Sequence, residues 1–207
     1  MKLPIARTLL LAAVLLAPLT GPLPARAEAT QTVVLAGGCF WGMEAVFGAL
    51  RGVQSAVPGY AGGAKATAHY EMVSTGTTGH AESVQVVYDP AKISIDQILT
   101  VYFTVAHDPT ELNYQGPDEG TQYRSEIFYT TDSQHKAAEA MIAKLTAEKK
   151  FSAPIVTKME QLRGFYPAEA EHMHFVARHP DYPYVVINDL PKLAALHHTF
   201  PQLLAKN

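Results

Sequence analysis

Six residues, Gly37-Gly38-Cys39-Phe40-Trp41-Gly42, mark the sharpest change of pattern in the chain. Before them, Thr32-Val33-Val34-Leu35-Ala36 is short, apolar and β-branched, the pattern of a buried strand. After them, Trp41, Met43, Ala45, Val46, Phe47, Ala49 and Leu50 recur at helical spacing. The chain must therefore turn from strand to helix at Cys39, and the glycines let backbone and ligand come close there. Unpaired N–H groups and the positive end of the helix dipole favour an anion at such a point. A thiol so placed is expected to drop from about 8.5 into the range of about 3.5 to 7.5, and the thiolate is the nucleophile. Cys39 is the only cysteine and Trp41 the only tryptophan. A lone cysteine is commonly an inert buried hydrophobe; the turn and its glycines favour a reactive one.

The N-terminus bears on what that thiol does. Lys2 and Arg7 precede an uncharged apolar run, Leu9 to Leu19, and Ala25-Arg26-Ala27 is a small-x-small cleavage pattern. This reads as a secretory signal peptide over 1–27, too short for a membrane span, leaving a single domain over 28–207. The expected location is periplasmic or secreted, with no stable membrane association. The formal charge of −3 becomes −6 once Lys2, Arg7 and Arg26 are removed. No basic stripe remains to bind nucleic acid. One cysteine cannot form an internal disulfide, so an exported chain that keeps it carries either an intermolecular bridge or a reactive thiol.

Further along, 52–57 reads as a strand broken by Pro58-Gly59, and 81–88 as a strand with Val84, Val86 and Tyr88 on one face. Ser94-x-x-Gln97 is a capping box before the stripe Ile95, Ile98, Leu99, Tyr102 and Phe103. Residues 107–123 form a polar loop with Pro109, Gly116, Pro117 and Gly120, long enough to suggest function. Next come a strand over 124–130, a helix capped by Thr131, and a strand over 155–162. A shorter helix over 165–178, an extended piece over 184–187 and a terminal helix over 191–198 with Asp189 as N-cap complete the chain. Alternating elements with hairpin-like neighbours give an α+β fold, a two-layer α/β sandwich with a ferredoxin-like core and long active-site loops.

Gly79-His80-Ala81-Glu82 opens a strand, where partial burial would raise the Glu82 carboxyl and keep it protonated. A second block runs His107-Asp108-Pro109-Thr110, then Asn113, Gln115-Gly116, Asp118, Gly120 and Gln122-Tyr123-Arg124-Ser125. Gly-Cys-Phe-Trp-Gly after a strand, Gly-His-Ala-Glu and this loop, in this order, resemble the type-A peptide methionine sulfoxide reductases, and the resemblance spans about Val33 to Asp189. It implies that Cys39 attacks the sulfoxide sulfur, that Glu82 is the acid, and that Tyr70 and Tyr123 are hydroxyl donors to the oxygen. It makes Asp118 the loop's acidic residue. Phe40 and Trp41 offer an apolar wall for the S-methyl group. The resemblance also implies the S epimer, free or in a peptide, with Cys39 left as a sulfenic acid.

Two departures stand out. Many family members carry resolving cysteines near the C-terminus; this chain has none. An outside thiol (a thioredoxin-like protein, glutaredoxin or glutathione) must then reduce Cys39, and no cofactor is expected. Glu171 and Met173 flank His172 where the family pattern has tyrosine and glutamine. Competing readings are a redox sensor or sulfoxide-binding module that does not turn over, and a cysteine hydrolase with His80 or His172 as base. There is no Cys-x-x-Cys or His-Glu-x-x-His spacing, and His172 and His174 would face different sides of a helix, so no metal is expected. No Gly-rich phosphate loop or dinucleotide fingerprint occurs. A monomer is expected.

Overall fold

The structure is a computed structural model that describes residues 29–205. The signal-peptide reading of 1–27 lies outside the described residues. The chain runs β1 (Gln31–Ala36), α1 (Phe40–Gly48), β2 (Val53–Ala61), α2 (Tyr70–Val73), β3 (Ala81–Tyr88) and α3 (Ile95–Val101). A small hairpin follows, β4 (Tyr114–Gln115) and β5 (Asp118–Glu119), then β6 (Glu126–Tyr129) and α4 (Asp132–Ala147). Last come β7 (Lys158–Gln161), β8 (Phe165–Pro167), α5 (Phe175–Arg178) and α6 (Leu190–Thr199).

Six strands form one sheet in the order β7-β6-β1-β3-β2-β8. All pairs are antiparallel except β6 with β7. Within it β1-α1-β2-β3-α3-β6, ordered β6-β1-β3-β2, is the split βαββαβ arrangement of the ferredoxin-like fold. The expected α+β class and its core are therefore present. Period-two alternation divides the strands between two faces. Val33, Leu35, Val84, Val86 and Tyr88 join the main core with Phe47, Leu99, Phe103 and Ala138 from the helices. Val34, Ala36, Ala61, Ala81 and Phe128 form a smaller cluster on the other face.

Local signals explain some boundaries and not others. Ser94 Oγ accepts from the Gln97 N–H at 3.2 Å while Gln97 Oε1 accepts from the Ser94 N–H at 3.0 Å, the expected capping box. Thr131 caps α4 through the Gln134 N–H. Pro58 does not break β2, which continues to Ala61. Its carbonyl accepts from the Ala168 N–H at 2.9 Å, on the side where only short β8 flanks it. The expected helix over 165–178 is instead β8, a tight turn at 170–172 and α5, because 165–167 pair with β2. Residues 184–187 are not extended; Val185–Asp189 is a π-helical turn leading into α6. Asp189 makes no side-chain cap; its carboxylate is wholly buried and packs on Gly42 of α1, where a Cβ would lie 2.2 Å from Oδ1.

Candidate active site

The turn between β1 and α1 is held from outside by the polar loop. A Cβ on Gly37 would meet the His107 ring at 2.7 Å, and one on Gly38, whose φ is +89°, would meet Gln115 at 2.6 Å. Only glycine fits at both. His107 is fixed in turn, Nε2 against Ser125 Oγ at 2.7 Å and Nδ1 against the Tyr102 carbonyl at 2.9 Å. The Tyr102 hydroxyl donates to the Ala36 carbonyl at the end of β1 (2.7 Å). Burial pulls His107 down to about 4, so this clasp is neutral at pH 7.

Cys39 sits at the N-cap position of α1, almost entirely buried. The structure corrects the expected electrostatics of its thiol. The Trp41 backbone N–H does favour the thiolate, but burial and then the Glu82 carboxyl outweigh it and hold the thiol well above its ordinary value. At rest Cys39 carries its proton.

Glu82 lies opposite Tyr60 at the start of β3, 2 % exposed, and its Oε2 accepts from the Phe40 N–H at 3.1 Å. That bond ties the carboxyl to the residue next to the thiol. Burial, opposed by the Phe40 N–H and helped by Asp118, pushes Glu82 up to about 8. It is thus a largely protonated acid at neutral pH, as the sequence suggests.

Tyr70 begins α2, and its N–H donates to Glu169 Oε1 at 2.8 Å. The other oxygen of Glu169 accepts from the Tyr60 hydroxyl at 2.7 Å. Tyr123 ends a tight turn over 121–123, immediately before Arg124. Arg124 donates to the carbonyls of Gly79, His80 and Thr121 and to Glu126 Oε2, so one buried cation fastens the strand carrying Glu82 to the turn carrying Tyr123. Burial raises both tyrosines, keeping them hydroxyl donors. Asp118 in β5 accepts a short hydrogen bond from the Tyr184 hydroxyl.

Cys39, Phe40, Trp41, Tyr70, Glu82, Asp118 and Tyr123 all line one cavity of about 170 Å³. Tyr182 and Tyr184 complete it. The sequence reading passed over these two because they lie in a short stretch between prolines that reads as extended. Trp41 stacks on Phe175 at 3.7 Å and meets Tyr182 and Tyr184 edge-on, an aromatic box on one side of the cavity. Phe40 is buried against Tyr60 and His172. A larger apolar cavity of about 510 Å³ lies on the far side of α1 by Glu44 and His197 and contains none of these residues.

Neither histidine nominated as a hydrolase base is free for that work. His172 Nδ1 accepts from Trp41 Nε1 at 3.2 Å. His80 Nδ1 accepts from the Gly63 N–H and its Nε2 faces the Ala64 carbonyl, at 3.2 and 3.0 Å. The site can instead present a thiol, a protonated carboxyl and two hydroxyls to one small polar atom inside an aromatic pocket.

Comparison with known proteins fits that chemistry. The family model described as peptide methionine sulfoxide reductase matches residues 31–203. The chain is 53 % identical over 180 residues to peptide methionine sulfoxide reductase MsrA 2 of Mesorhizobium japonicum, covering 87 % of this chain and 92 % of that one. It is 47 % identical over 183 residues to the protein of the same name from Synechocystis, covering 88 % and 86 %. Among solved structures, the reduced form of Mxr1 from Saccharomyces cerevisiae superposes with a TM-score of 0.68 at 32 % identity, covering 74 % of this chain and 87 % of that one. Methionine sulfoxide reductase A of Corynebacterium diphtheriae gives 0.65 at 33 %, covering 74 % and 76 %.

Proposed function

This chain belongs to the type-A peptide methionine sulfoxide reductases and reduces methionine sulfoxide, and from that premise we propose that it takes the S epimer, draws on external thiols, and divides the reaction among its residues as follows. The observation that carries the assignment is the Glu82 carboxyl, held protonated by burial and bonded to the backbone next to Cys39 in a shared cavity. The sulfoxide S-methyl group lies against the aromatic cavity wall of Phe40, Trp41 and Tyr182. Its oxygen points to Glu82, Tyr70 and Tyr123.

Cys39 sulfur attacks the sulfoxide sulfur as Glu82 protonates the oxygen, which is otherwise a poor leaving group. Tyr70 and Tyr123 hydrogen-bond that oxygen where charge develops. Asp118 sets the position of Tyr184 on the pocket wall. The balance is a thiol and a sulfoxide giving a sulfenic acid and a thioether: the oxygen moves to Cys39, and the thiol proton replaces the one Glu82 gave up. The buried thiol keeps its proton until the carboxyl hands one on, so both acids change state within one shared cavity. An external thiol then returns the Cys39 sulfenic acid to the thiol, since the sequence offers no second cysteine. The acceptable substrates include oxidised proteins, and the chain is exported, with cleavage after Ala27.

The test uses the purified protein, its Cys39→Ser variant, the two resolved sulfoxide epimers and excess dithiothreitol. Many turnovers on the S epimer, abolished by Cys39→Ser, are expected. One equivalent of methionine and no more, with Cys39 shown reduced beforehand, would favour a sensor. The mass of the protein recovered from its native host reports the cleavage.

A further inference from the structure

Cys39 is reached from two sides. The cavity already described carries Glu82, Tyr70 and Tyr123. A second cavity of about 70 Å³ also reaches Cys39, lined by Gln115, Gly116, Pro117, Asn188 and Lys192. Asp118 and Tyr184 belong to both, and they are hydrogen-bonded to each other, so this pair is the partition between the two spaces. None of the groups assigned to the sulfoxide oxygen faces the second space.

Lys192 is the cation among the residues that line this space, facing the Asp118 carboxyl that also lines it. Its side chain is only 18 % exposed, with Nζ 3.9 Å from Asp189 Oδ1. Asp189 is completely buried, and neither of its carboxylate oxygens has a hydrogen-bond partner among the described residues. A buried carboxylate whose counter-charge among the described residues is Lys192 holds the lysine in place beside the opening.

We propose that this second opening admits the thiol that reduces oxidised Cys39, and that Lys192 draws that thiol in as its thiolate. The inference rests on the reductase reading above. After the first half-reaction the oxygen on Cys39 lies with Glu82, Tyr70 and Tyr123, the groups that held it. A thiolate must approach a sulfenic sulfur in line with the bond that breaks, from the side away from that oxygen. The second cavity reaches Cys39 across the Asp118–Tyr184 pair from those groups, and it is the opening this approach would use. Exchange needs the thiolate, which a nearby ammonium favours. The thiolate sulfur bonds to Cys39 sulfur, the S–O bond breaks, and a proton from Glu82 completes the departing water. A second thiol molecule attacks the mixed disulfide, releasing Cys39 as a thiol and a disulfide of the two reductant molecules. A small anionic thiol is the class this opening fits best.

The two half-reactions separate the outcomes. Full-length mature enzyme is first mixed with one equivalent of methionine S-sulfoxide and no reductant, and methionine is quantified. The oxidised enzyme is then mixed with 3-mercaptopropionate (anionic), 2-mercaptoethanol (neutral) or cysteamine (cationic). Lys192→Gln, Lys192→Arg and Asn188→Trp are compared with the parent. Methionine release in the first step is expected to be unchanged, which also reports that each variant is folded. Lys192→Gln slows reduction by 3-mercaptopropionate by about tenfold, as loss of a close charge at a half-buried site does, and slows cysteamine least. Lys192→Arg restores it, and Asn188→Trp slows all three thiols. The proposal falls if Asn188→Trp leaves reduction at the parent rate, if it slows both half-reactions together, or if Lys192→Gln affects the three thiols alike. Failure of the parent to release methionine at all would overturn the reductase reading instead.

Discussion

Glu82 and Cys39 line one cavity with both protons held, the carboxyl against its usual ionisation and the thiol more firmly than usual. The acid function sets the direction of the pH dependence. Glu82 is competent only while protonated, so turnover is expected to fall as pH rises through about 8. Glu82→Gln keeps the acceptor for the Phe40 N–H but has no proton to give. It should lower kcat by roughly 10²- to 10⁴-fold and abolish that alkaline limb, both read from steady-state rates across pH. Tyr123→Phe removes one donor to the developing oxyanion and should cost up to about 10²-fold in kcat, with little change in the thermal midpoint. The identities of these residues were legible because each sits in a short local motif. The protonation of Cys39 was not. The helix N-terminus is written in the sequence, whereas the burial and the facing carboxyl that overcome it come from β3, more than forty positions away.

Arg124 works between elements. Its guanidinium joins the loop before β3, the turn that carries Tyr123 and the start of β6. Arg124→Leu would leave Glu126 buried without its partner, 2.6 Å away in the native protein. A loss of about 3–5 kcal/mol in urea unfolding is expected, as for other broken buried pairs. Gly42→Ala tests the packing of α1 against Asp189, where the added methyl would lie 2.2 Å from Oδ1. It should cost about 1–3 kcal/mol. Sequence pattern located β1, α1, β3 and α3 because their periodicity or caps are unambiguous. It failed where sheet context decides. Pro58 reads as a breaker, yet it sits in β2 beside a strand of only three residues. The helical turn over 185–189 is too short for a period to show, and the chain around Pro183 reads as extended. Tyr184 was lost to view with it, since only the fold brings it to Asp118 across the molecule.

For the whole molecule, the site's buried acids tax stability in a direction that can be measured. Glu82 is raised from about 4.5 to about 8 and Asp189 from about 3.8 to about 6, both by burial. Between the unfolded and folded values of each group the native state binds more protons than the unfolded chain, so stability falls as pH rises. His107 acts oppositely. Lowered from 6.5 to about 4, it is neutral when folded and charged when unfolded across that window, so its contribution is lost as pH falls. Below pH 6.5 His107 offsets only part of what the two carboxyls do; above it the carboxyls act alone, Glu82 most of all. The urea midpoint should therefore be higher near pH 6 than near pH 8.5, by an amount on the order of a few kcal/mol in unfolding free energy. Glu82→Gln should flatten most of that slope and be the more stable protein at pH 8.5 while the less active one at every pH. A slope that survives in Glu82→Gln would place the alkaline loss elsewhere and remove the link between burial of this acid and its protonation. If the slope goes with the carboxyl, the burial that destabilises the fold is the same burial that keeps the general acid protonated.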